Sequence, residues 1–168
     1  MTKSRTNDTS QLKYMDIIDS ISRAARMQTT YTVGLLQAKA YAMLTVHMSE
    51  ALEPHGITPK EWALLGLVRD RKSIRPSESA LELGVEAPYV TAMSIKLKDM
   101  GWMDEERDEV DTRAKILCLT TAGEAFVKKT EPLLREHMKP LVAGVKISDL
   151  LGYFSVLESI TKNYNKKN

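Results

Sequence analysis

The 168-residue chain is 43% hydrophobic and 27% charged, with 8 Gly and 6 Pro, which excludes a disordered, collagen-like or linker sequence and suits one packed domain with helical extensions. Its 24 Lys+Arg against 22 Asp+Glu leave a net charge of +2, so the total speaks neither for nor against a nucleic-acid partner, whose phosphates usually demand a strong basic excess. No run of roughly 18 apolar residues occurs and Met1 to Ser10 has no apolar signal core, so no membrane span is expected; the single cysteine, Cys118, excludes an internal disulfide and points to the cytoplasm.

Along the chain, residues 1–10 read as a flexible polar tail and 11–53 as N-terminal helices. Met15, Ile18 and Ile21 recur at helical spacing between Leu12 and Ala25, and a long helix is predicted from about Tyr31 to Glu53, with Val33, Leu36, Ala40, Met43, Leu44, His47 and Ala51 on one face. Residues 54–120 form the next unit. Thr58, Pro59 and Glu61 spell an N-cap, a first helical position and a capping box, with Ile57 and Trp62 placed as a hydrophobic staple. That helix carries Leu64, Leu65 and Val68 and dissolves in the basic stretch from Arg69 to Arg75. A short helix from Ser77 to Leu83 is closed by Gly84, and a second with Pro88 near its start buries Val90, Met93, Leu97 and Met100. Tyr89, Thr91, Ala92, Ile95, Lys96 and Lys98 then point outward, the grammar of a helix-turn-helix. Trp102 to Arg107 and Ala114 to Leu119 read as the two strands of a hairpin. In residues 121–168, Thr121 and Glu124 fit a second capping box, Pro132 predicts a kink, and a last helix starts near Ser148. The fold class is mainly α with a small β-hairpin wing: a winged helix-turn-helix between N- and C-terminal dimerisation helices.

At this point the chain resembles the multiple-antibiotic-resistance regulator (MarR) family of bacterial transcription factors, over roughly Tyr31 to Tyr164. The resemblance rests on Gly56-Ile-Thr-Pro-Lys-Glu-Trp-Ala-Leu-Leu65, Arg75-Pro-Ser-Glu-Ser-Ala80, Leu83-Gly-Val, Leu97-Lys-Asp-Met-Gly-Trp102, and the wing series Arg107, Asp111-Thr-Arg113, Leu119-Thr120 and Gly123. It implies a homodimer bound to a pseudo-palindromic operator in double-stranded DNA, most often as a repressor. Pro88, Tyr89, Thr91, Ala92 and Lys96 would read the major groove and Ser77 would meet a phosphate. Arg113 would enter the minor groove, steadied by Asp111, with Lys115 beside it. The family also implies a small phenolic or aromatic-acid effector, for which His47, Met48 and Trp62 are the candidate contacts. The chain departs from the family pattern at Glu86, where Ser or Thr often caps the recognition helix, and at Ser79, where leucine is usual.

Other chemistry finds less support. His47, His55 and Glu50 lack a tight ligand spacing, so no metal is expected; Cys118 sits in an apolar strand and reads as an inert thiol. No phosphate loop, nucleophile elbow or paired catalytic motif occurs, so neither an enzyme nor a cofactor is expected. The near-neutral charge and Glu86 keep one alternative open: a winged-helix module that binds a protein and not DNA.

Overall fold

The computed structural model describes residues 30–108 and 114–166. The helix expected between Leu12 and Ala25 therefore lies outside the described residues, as does the wing tip. Two compact units are distinguished, Met1–Val46 and His47–Asn168.

Helix α1 (Thr30–Leu52) runs through the boundary between them. Within the first unit its apolar side chains are exposed, Leu36 at 61% and Met43 at 57%. At the end of the predicted stripe Ala51 packs partly buried on the core, beside the fully buried Leu52. A turn of 3-10 helix (Glu53–His55) follows and Gly56 closes it at φ 70°, a left-handed conformation that glycine adopts without steric cost. Thr58 then caps α2 (Pro59–Arg71): its hydroxyl accepts the Glu61 N–H at 3.2 Å and the Glu61 carboxylate accepts the Thr58 N–H at 2.7 Å. The capping box stands as the spacing predicts. Leu64, Leu65 and Val68 on α2 have no exposed surface, and each such burial is worth about 1.5–3 kcal/mol.

Beyond α2 the basic stretch does more than dissolve. Lys72 turns at φ 65° and Ser73–Ile74 forms a short strand, β1. It pairs antiparallel with Cys118 and Leu117, and the sheet order is β1-β3-β2, with β2 (Met103–Arg107) and β3 (Lys115–Leu119) forming the hairpin. Two residues are too few for an alternating pattern to announce a strand. Leu117, on the central strand, is fully buried and joins Ile74 and Met103 in the core cluster.

Between β1 and β2 lie α3 (Pro76–Leu83) and α4 (Ala87–Asp99), joined through Gly84 at φ 60°. Helix α5 (Thr121–Met138) follows the hairpin, and a 3-10 turn (Lys139–Val142) leads to α6 (Ile147–Asn165). The α5 cap is Thr120, whose hydroxyl accepts the Gly123 N–H at 3.0 Å, rather than the predicted Thr121–Glu124 box. The reason lies in the sheet: Thr120 leaves β3 extended, donates its N–H to the Trp102 carbonyl at 3.2 Å, and so holds the non-helical conformation a cap requires. Gly123 then packs so closely on the Trp102 backbone that a Cβ there would overlap the Trp102 carbonyl oxygen. Helix α5 runs on past Pro132 as one helix. No single described helix is long and apolar enough to cross a membrane.

Candidate nucleic-acid interface

The helix-turn-helix is built from local chemistry. In α3 the Ser79 hydroxyl, fully buried, donates to the Arg75 carbonyl at 3.2 Å, which satisfies the polar group standing where a leucine was expected. Gly84 donates to the last carbonyls of α3, and Val85 N–H reaches the Ala80 carbonyl at 3.0 Å, so the chain reverses sharply into α4. Glu86 occupies the N-cap of α4 with no side-chain cap bond; its backbone carbonyl accepts from Tyr89.

Helix α4 has a clean division of faces. Val90, Met93, Ser94 and Leu97 are buried, and Pro88, Tyr89, Thr91, Ala92 and Ile95 are exposed. The Thr91 hydroxyl donates to the Ala87 carbonyl at 3.2 Å, which leaves its lone pairs facing outward as acceptors. Ser77, near the start of α3, is also exposed. Of the predicted contacts, Ser77, Pro88, Tyr89, Thr91 and Ala92 are thus solvent-exposed.

The lysines behave differently. Lys96 is only partly exposed, and its ammonium donates to Glu61 at 2.8 Å. The capping-box carboxylate therefore serves twice, closing α2 and tethering α4. Glu61 is 7% exposed, so this carboxylate is one that must be paired where it sits. Lys98 and Lys115 converge on Glu105 at 2.9 and 3.0 Å. The hydrogen bond from Lys98, helped by Lys115 and opposed by burial, holds the Glu105 carboxyl below its usual range. Arg75, at the start of α3, reaches Asp108 at the end of β2 at 2.6 Å and so ties the wing base to the helix pair. Arg71 pairs with Glu82 at 2.9 Å and Arg69 approaches Asp70 at 3.5 Å. Two acids of the wing base, Glu105 and Asp108, are thus partners of the basic groups around them.

Asp111 and Arg113 lie outside the described residues; the stem that carries them closes with Arg107 opposite Lys115 and the Asp108 N–H on the Ala114 carbonyl at 3.0 Å. On β3, burial together with the nearby Glu106 and Asp104 carboxylates pushes the Cys118 thiol up to about 11, which disfavours the reactive thiolate. Of the predicted effector contacts, Met48 and Trp62 pack on the same core cluster, and Trp62 meets Phe126 edge-on, beside the Trp102–Phe126 stack at 3.8 Å. His47 instead turns to His137, a partner 90 residues away that no local pattern reveals.

No protein-family model matches the chain. An uncharacterized HTH-type transcriptional regulator of Bacillus subtilis, YwoH, is 29% identical over 101 residues, 60% of this chain and 73% of the relative. Among solved structures, mutant MarR from E. coli complexed with operator DNA superposes with a TM-score of 0.69 at 22% identity, over 77% of this chain and 93% of that one. CouR from Rhodococcus jostii bound to p-coumaroyl-CoA gives 0.72 at 18% identity, over 77% and 91%. At these identities the likeness is one of fold, and the chain has the winged helix-turn-helix fold of the MarR-family structures.

Proposed function

We propose that the chain regulates transcription by binding a pseudo-palindromic operator in double-stranded DNA as a homodimer, acting as a repressor that a small aromatic ligand releases. The observation that carries this reading is the outer face of α4. Pro88, Tyr89, Thr91 and Ala92 are exposed, small or polar, and unused by the core of this chain. A helix so presented enters a major groove of about 12 Å and offers its side chains to base edges. Mutant MarR, which shares the fold, was crystallised with operator DNA.

The dimer is supported by apolar surface left exposed among the described residues. On α6, Leu151 is 63%, Phe154 57% and Ile160 56% exposed, and α1 leaves Leu35 and Val46 exposed at 54% and 60%. Exposed apolar side chains gathered on a helix mark interaction surfaces. A two-fold dimer sets its recognition helices about 34 Å apart, one turn of duplex. Within each lobe, Ser77 meets a phosphate, Arg113 and Asp111 form the wing contact, and Lys115 lies at the wing base. Lys96 acts chiefly through its tether to Glu61. The ion pairs of Arg69, Arg71 and Lys115 are exposed, cost little to open, and can exchange carboxylate for phosphate.

For the effector, Met48 and Trp62 with His47 are the residues of choice, and CouR bound to p-coumaroyl-CoA is the supporting likeness. The protein-module alternative keeps the same α4 face but needs no groove. Selection of bound fragments from the source genome separates the two: enrichment of an inverted repeat supports the operator reading, and no enrichment over random fragments at low salt overturns it.

A further inference from the structure

Near the end of α1 and the end of α5, two histidines and a glutamate meet in an arrangement that DNA reading does not use. The rings of His47 and His137 stack with centroids 4.0 Å apart and planes inclined by 15°. Each ring turns its Nε2 to the backbone carbonyl of the other: His47 Nε2 lies 2.9 Å from the His137 oxygen, and His137 Nε2 lies 3.1 Å from the His47 oxygen. A carbonyl only accepts, so both Nε2 atoms carry hydrogen, and in the neutral rings both lone pairs sit on Nδ1. This is the tautomer of a metal-binding histidine, whose second nitrogen characteristically donates to a carbonyl or carboxylate and fixes the ring.

Glu50 lies one turn beyond His47 on α1, and its Oε2 stands 3.5 Å from His47 Nδ1. A lone pair facing a carboxylate is repulsive unless a proton on Nδ1 or a metal ion lies between them. One ligand nitrogen from each ring and one Glu50 oxygen all lie within 4.8 Å of one another. Around a tetrahedral Zn²⁺ with bonds near 2.0–2.2 Å, ligand atoms stand roughly 3.4 Å apart, so modest side-chain rotation closes the set. Glu50 is 63% exposed and His47 27%, which leaves the rotation free and the site open to solvent.

We propose that His47, Glu50 and His137 form a binding site for a divalent transition-metal ion of the zinc type, with Nδ1 of each histidine and a Glu50 oxygen as ligands and a fourth position open. Two nitrogens and one oxygen suit zinc better than calcium or magnesium, which take oxygen. Occupancy draws the two Nδ1 lone pairs to one point, splays the stacked rings, and clips the end of α1 to the end of α5.

The full chain, tag-free and dialysed against chelator, is titrated with ZnCl2 by calorimetry and with CoCl2 by visible absorption. One ion per chain is expected, with a thermal midpoint that rises with zinc concentration. Loss of any one ligand should weaken binding by about tenfold or more. His47→Gln and His137→Gln are read alongside circular dichroism, and Glu50→Gln tests the set without disturbing the stacked rings. His55→Gln and Cys118→Ser should bind as the parent does. Wild-type affinity in either ring variant or in Glu50→Gln, or no zinc binding by the parent chain, overturns the assignment.

Discussion

Gly123→Ala is the sharpest test of how the wing is fastened to α5. A Cβ at this position overlaps the Trp102 carbonyl oxygen and stands 2.8 Å from its carbon and 3.1 Å from its Cα. Carbon atoms in contact normally sit about 3.5–4.0 Å apart, so the carbon contact alone asks for a separation of about 0.7–1.2 Å and the overlapped oxygen for more. Neither side yields easily. Thr120 holds Trp102 through its N–H at 3.2 Å and Gly101 through its hydroxyl at 2.7 Å, and its hydroxyl also caps Gly123 at 3.0 Å. Overpacking of backbone against backbone costs about 3 kcal/mol, from which alanine's helix preference returns roughly 1 kcal/mol. The net loss is about 2 kcal/mol, or a midpoint lowered by roughly 4–8 °C in a chain of this size. Gly66→Ala is the matched control, because a Cβ at Gly66 meets nothing within 4 Å, and it should stabilise by about 0.5–1 kcal/mol. Both are read by urea and thermal unfolding at one fixed protein concentration. A Gly123→Ala protein as stable as its parent would refute the close approach and the account of the motif glycine built on it.

Three further expectations follow from the ion pairs and the thiol. In a double-mutant cycle on Glu61→Gln and Lys96→Met, the pair at 2.8 Å should show a coupling of about 1 kcal/mol, and additive losses would mean that α4 is not tethered this way. Glu105 is held below its ordinary value of 4.5, so its stabilisation is complete above that pH and fades as pH falls through the lower folded value. The parent should therefore exceed Glu105→Gln most at neutral pH, and a gap that widens on acidification contradicts the Lys98–Glu105–Lys115 arrangement. The Cys118 thiol, pushed from 9.0 to about 11, should alkylate at pH 7.5 about 100-fold more slowly than an unperturbed thiol, and rapid labelling would contradict its setting.

What the sequence made legible was local. Thr58 and Glu61 are three residues apart and their capping box reads directly; Gly84 and the buried stripe Val90, Met93 and Leu97 mark the helix-turn-helix by spacing alone. Contacts that join distant segments left no such trace. The tether of Glu61 to Lys96 spans 35 positions and the His47–His137 stack spans 90. Strand β1 has two residues and exists because β3 offers it an edge. The α5 cap shifted to Thr120 because Trp102 fixes that residue in an extended conformation, a constraint from the sheet and not from the Thr121–Glu124 spacing. The apolar spacing of α1 was legible, but spacing alone did not say that Leu36 and Met43 would be exposed among the described residues.

The net charge of +2 takes its meaning from those pairs. Arg71, Arg75, Lys96, Lys98 and Lys115 each face a carboxylate, so the surface around α4 carries less free positive charge than its lysines and arginines suggest. For the proposed operator binding, groove contacts and not counterion release alone would have to supply affinity, with weak non-specific binding expected. The most direct test is a fluorescence anisotropy titration of a selected genomic fragment against a scrambled duplex, from low to high salt, with the parent chain and Arg113→Ala. The account predicts preference for the selected fragment and a log–log salt slope that becomes shallower by about one for each wing contact removed. Equal binding of both duplexes, or a slope that Arg113→Ala leaves unchanged, would contradict it.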